Sequence, residues 1–74
     1  MAKDFSKLSG RIVEKFGTQY NFATAIGLSE RSLSLKLNNK VGWKDDEMEK
    51  AIELLDLDVA EIPLYFFTYN VQEN

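Results

Sequence analysis

The chain has 74 residues, 45% hydrophobic and 12% aromatic, with no cysteine and no histidine. That is one small domain with enough apolar matter for a core, and it excludes a disulfide framework, a thiolate metal site and the commonest general base. The net charge of −3 is unevenly held: residues 1–44 carry eight Lys/Arg against three acids, and residues 45–74 carry one Lys against nine acids, so the two parts stand at +5 and −8.

No apolar run reaches the roughly 18 residues that a bilayer span needs. The start, Met1-Ala2-Lys3-Asp4-Phe5-Ser6, lacks the apolar stretch of a signal peptide. The expected compartment is the cytoplasm, with no membrane partner.

Asp4 or Ser6 caps a first helix running to about Phe16. Phe5, Leu8, Ile12 and Phe16 share one face of it at spacings of three and four. Lys7, Arg11 and Lys15 form a separate stripe, and Gly17 suits a left-handed stop. Thr18 caps a second helix whose inward face is Phe22, Ala23 and Ile26. Gly27 ends it. Ser29 caps a third helix, anchored by Leu33 and Leu37. Residues 38–42 read as a loop. A fourth helix fits Lys44 to about Leu55, with Met48, Ala51, Ile52 and Leu55 inward. Asp45, Asp46 and Glu47 lie in its first turn, where the helix dipole favours acids. A fifth runs from Val59 to about Phe67, with Pro63 in its first turn. Residues 68–74 form a tail, extended or frayed. The expected fold class is all-α: a compact bundle of about five short helices, one domain over residues 1–67, and a short tail.

Residues 19–38 carry the most information. Two short helices that cross steeply need a small residue at the crossing, and Ala23 supplies it. The turn needs a residue at ease with positive φ, and Gly27 stands four residues later. Leu28 plugs the turn. At about 100° per residue, with Leu33 and Leu37 inward, the outward positions of helix 3 are Arg31, Ser34, Leu35 and Asn38. In a major groove, Leu35 suits thymine methyl groups and Arg31 suits guanine O6/N7 or phosphate, while Ser32 and Ser34 let the helix approach closely. The bland readings are packing of Leu35 on helix 4 or a partner subunit, pairing of Arg31 with Glu30 or a helix 4 acid, Gln19 as a helix-start residue only, and loop formation by Asn38 and Asn39.

The runs Lys7–Gln19, Ser32–Asn38 and Glu49–Leu55 resemble the lambda-repressor-like helix-turn-helix domains of phage repressors and Cro proteins. The likeness is to short Cro-like regulators of phages and prophages of Gram-positive bacteria. The resemblance implies a sequence-specific transcriptional regulator, a Cro-like repressor acting as a homodimer on double-stranded operator DNA. It places Gln19 at the opening of helix 2 as a contact at the edge of the DNA site. Glu30, Arg31, Ser32 and Leu35 fall at its base-reading positions, and Asn38 at its phosphate contact. With Ser29, Ser34, Asn39 and Lys40 these make the candidate DNA-binding set. Glu30 departs from the family pattern and is unfavourable near phosphate unless it accepts from cytosine N4 or pairs with Arg31. Lys36 stands where the family often has an apolar residue.

Nothing points to an enzyme: there is no Gly-rich phosphate loop and no spacing that activates a nucleophile. Asp45, Asp46, Glu47 and Glu49 lack the pattern of a calcium loop and read as dipole partners, so neither a metal nor another cofactor is expected. The acidic second part and the surplus of Trp43, Leu64, Tyr65, Phe66, Phe67 and Tyr69 carry an alternative function. In it the protein is an interaction module that modulates a partner phage repressor, as an antirepressor or co-repressor.

Overall fold

The computed structural model describes residues 3–69. In chain order these form α1 (Ser6–Phe16), α2 (Gln19–Ile26), α3 (Glu30–Leu37), α4 (Asp45–Leu54), a 3-10 turn (Val59–Glu61) and α5 (Ile62–Phe66). The fold is the all-α bundle expected from the apolar periodicity. An isolated antiparallel bridge, Lys3 to Tyr69, joins the two ends of the described chain. Beside it the Asp4 N–H donates to the Thr68 carbonyl at 2.6 Å. Residues 70–74 of the expected tail lie outside the described residues.

Helices α1 to α4 each start where a side chain takes up a free N–H. Asp4 Oδ1 accepts from the Ser6 N–H at 2.9 Å, and Thr18 Oγ1 from the Asn21 N–H at 3.1 Å. Ser29 Oγ accepts from the Ser32 N–H at 3.0 Å. Helix 4 begins at Asp45, with Lys44 as its cap position, and Glu47 Oε1 reaches back to the Lys44 N–H at 2.9 Å. Such caps contribute about 1 kcal/mol each.

Helices of eight residues such as α2 and α3 are not stable alone in water. They persist because they bury one face. The core is Phe5, Leu8, Ile12, Phe22, Ala23, Ile26, Leu33, Ala51, Leu55 and Phe66. Helix α2 is central and packs on α1, α3 and α4, while α5 closes against α1. Ala23, 1% exposed, is the small residue at the crossing. Gly27 adopts the left-handed conformation, φ 84° and ψ 24°, that turns the chain from α2 toward α3.

Trp43, between α3 and α4, ties the loop to the far end of the chain. Its ring meets Phe66 edge-on at 5.3 Å and Phe5 at 6.3 Å. Its Nε1 is buried without a hydrogen-bond partner among the described residues.

Two local expectations change. The fifth helix is broken into the 3-10 turn and α5: the Glu61 N–H donates to the Asp58 carbonyl at 2.8 Å, the three-residue spacing of a 3-10 turn, and Glu61 Oε1 accepts from the Asp58 N–H at 3.0 Å. Pro63 then sits in the opening turn of α5, where its missing N–H has no helical partner to lose. In α3 the inward pair is Leu33 and Lys36, the latter only 4% exposed, while Leu37 is half-buried.

Candidate partner-binding surface

Helix α3 and its flanks carry the residues first expected to read DNA. Glu30, Arg31 and Lys40 are exposed, and Gln19 is half-buried at the start of α2. Among the described residues Arg31 forms no ion pair with Glu30 or with an α4 acid. The polar remainder is folded back on the protein. Ser29 Oγ, already capping α3, also donates to Ser32 Oγ at 3.0 Å. Asn38 Nδ2 donates to the Ser34 carbonyl at 2.8 Å and to Ser34 Oγ at 3.3 Å. Asn39, at φ 66°, donates through Nδ2 to the Lys3 carbonyl at 3.1 Å. Leu35 does not stand clear of the surface. It is half-buried beside Leu28 and Val41 in a cleft over the α3–α4 junction.

Four of the eight cations of the first part, Lys3, Arg11, Lys15 and Lys36, are likewise engaged within the fold. Arg11 Nε donates to the Leu55 carbonyl at the end of α4 at 3.0 Å, and Arg11 Nη1 lies 2.7 Å from Glu14. Lys15 Nζ is 3.4 Å from Asp56. Both cations therefore meet the negative end of the α4 dipole. Lys3 Nζ sits 4.9 Å above the Phe67 ring. Lys36 Nζ donates to the Gly42 carbonyl at 3.0 Å and lies 2.9 Å from Glu47 Oε1. Burial pushes the Glu47 carboxyl up, but the Lys44 N–H and the Lys36 ammonium outweigh it and hold it below its ordinary 4.5. This pair clamps α3 to α4. The basic half of the sequence thus neutralises parts of the acidic half through Lys15 and Lys36.

The acids of α4 are the counterpart. Asp45, Glu49 and Glu53 follow one another at intervals of four, so they share a stripe. None of the three has a salt bridge among the described residues. Two like-charge neighbours at this spacing destabilise a helix by roughly 0.2–0.5 kcal/mol each. Beside the stripe run Met48 and Ile52, which face Ile62 across a shallow groove of about 290 Å³ that ends at Phe67. A second hollow of about 510 Å³ continues it past Leu57 to Val59. The two hollows share Glu49, Ile52 and Ile62. Val59 is 76% exposed and Phe67 43% exposed. Met48 and Ile52, expected on the inward face of the fourth helix, both pack against the core. They are half-buried, with part of each side chain in this groove. The exposed Val59 and Phe67 sit at opposite ends of it.

Comparison with known proteins turns the interpretation away from DNA. The solution structure of the modulator of repression of the temperate bacteriophage TP901-1 from Lactococcus lactis is 60% identical in sequence. The match covers 97% of both chains with a TM-score of 0.79. No curated protein matches the chain.

These findings overturn the assignment to lambda-repressor-like DNA-binding domains, and with it the reading of a Cro-like, DNA-binding repressor. The spacing of Ala23, Gly27 and Leu28 specifies how two helices cross, and a crossing is a shape without a ligand. The physical reasons are visible in α3 and around it: its serines and Asn38 bond internally, Lys36 is buried, and Arg11 and Lys15 serve α4. No helix among the described residues is long and apolar enough to cross a membrane. The matching family model covers residues 1–69, and the chain belongs to that family, described as Protein of unknown function (DUF739).

Proposed function

We propose that this protein modulates a partner phage repressor by binding to it. The observation that carries the reading is the 60% identity, over 97% of both chains, to a phage modulator of repression. An acidic stripe without ion pairs among the described residues, next to exposed apolar residues, agrees with a protein partner better than with phosphate. The homodimer expected for paired DNA half-sites loses its motive once no half-site is read.

The test uses the repressor encoded in the same phage or prophage genome and its operator duplex in a mobility-shift assay. The protein alone leaves the operator unshifted at micromolar concentration. Added to repressor at equal concentration, it changes the fraction of operator bound by about fivefold or more, an effect within the usual range of coupling energies. An unchanged repressor titration in its presence rejects the proposal.

A further inference from the structure

We propose that the groove between α4 and α5 is the docking site for a cationic helix of the partner repressor, anchored by two or more apolar side chains; this rests on the reading of the protein as a repressor modulator. The groove is a trough along one helix. Met48 and Ile52 stand one turn apart on its α4 wall, Ile62 forms the opposite wall, and Phe67 and Val59 mark its two ends. Helix α4 has ten residues, a length of about 15 Å. That length matches an occupant helix of two to three turns, the usual size of an amphipathic helix laid in a groove.

Charge selects the occupant. Asp45, Glu49 and Glu53 border the trough one helical turn apart, and none has an ion pair among the described residues. Lys or Arg residues spaced four apart on a docked helix meet such a stripe in register. A second copy of this chain fits badly, because a two-fold face would bring the same acids together. Nucleic acid is repelled for the same reason. A repressor, by contrast, must carry exposed cations to hold operator phosphates. The like-charge strain along α4 is then relieved in the complex, and a stripe that weakens the free helix has a use.

The test measures binding of the purified repressor to the wild type, to Glu49→Lys/Glu53→Lys, to Val59→Asp and to Arg31→Ala/Leu35→Ala. Circular dichroism checks that each variant is folded. The wild-type Kd should weaken with added salt. The double charge reversal should weaken binding about tenfold or more, since it replaces attraction by repulsion at the rim. Val59 is exposed and lies outside α4, so Val59→Asp preserves folding even if the reversal does not, and it should weaken binding about threefold or more. The α3 double variant should stay within about twofold of the wild type. Equal binding by the two groove variants and the wild type overturns the docking site and leaves the function standing. So does loss confined to the α3 variant, or self-association of the wild type that the charge reversal abolishes. Failure of the wild type to bind repressor at all overturns the functional reading itself.

Discussion

Glu47→Gln should lower folding stability by about 3 kcal/mol at neutral pH, read from urea unfolding followed by Trp43 fluorescence. The side chains of Lys36 and Glu47 are only 6% and 14% exposed, and their charges lie 2.9 Å apart. The substitution removes the counter-charge and leaves the buried ammonium with neutral partners only, the Gly42 carbonyl, the amide oxygen and the Trp43 ring 6.0 Å away. Removing one partner of a buried pair is more damaging than removing both, because the survivor keeps its desolvation penalty. The double variant Lys36→Met/Glu47→Gln should therefore recover most of the loss. Its Gln still offers an oxygen to the Lys44 N–H that Glu47 now caps, and Met suits the apolar wall of Trp43. Acid should mimic the single substitution. The folded-state carboxyl lies below its ordinary 4.5, so its contribution is complete above that pH and is lost as pH falls through the folded value. The stability gap between wild type and Glu47→Gln should accordingly shrink below about pH 4.5. A gap that persists unchanged into acid would assign the effect to shape and not to charge.

Phe66→Ala should cost about 3–4 kcal/mol, whereas Phe67→Ala should cost only about 1 kcal/mol. Phe66 is 1% exposed and meets the edge of Trp43 at 5.3 Å. It is the point where α5, the loop before α4 and the N-terminal segment converge. Phe67 is 43% exposed, carries Lys3 over its ring face and lines the end of the α4–α5 groove. For a domain of this size, a loss of 3 kcal/mol lowers Tm by roughly 12–24 °C. Thermal unfolding of the two variants measures the contrast directly. Similar Tm values would show that α5 is not the lid of the core.

Much of the fold was legible in the sequence. The caps Thr18 and Ser29, the left-handed Gly27, and the inward faces of α1 and α2 follow from local rules: a free N–H needs an acceptor, and apolar residues recur at helical spacing. The same rules separated five helical segments. They could not say whether Phe66 or Phe67 enters the core, because adjacent residues in a short helix differ only by the direction its neighbours impose. They also misread Lys36. Its burial depends on Glu47, eleven residues on in another helix, and no local pattern records that meeting. The tight winding at Val59–Glu61 was hidden for a similar reason, since Glu61 had to turn back on Asp58 to show it.

The surface was less legible than the core. The split of charge between the two parts of the sequence suggested a face for phosphate. In the fold, Arg11 and Lys15 cross to the end of α4 and Lys36 is buried against Glu47, so charge that is separate along the chain is partly joined in space. Leu35, pointed outward by helical geometry alone, is half-covered next to Leu28 and Val41. The acids of α4 were read as dipole partners. That holds for the first turn, but Glu49 and Glu53 lie beyond the reach of the helix N-terminus. A stripe of acids continuing past the first turn, next to Met48 and Ile52, is the sequence pattern behind the proposed docking groove. The spacing that specified two crossing helices drew attention instead.

The most direct test of the central claim is isothermal titration calorimetry of this protein into the repressor from the same phage genome, in the absence of DNA. The account predicts a saturable heat with a micromolar or tighter Kd, and an affinity that falls as salt is raised. Absence of any saturable heat at several temperatures, with both proteins folded, would contradict it.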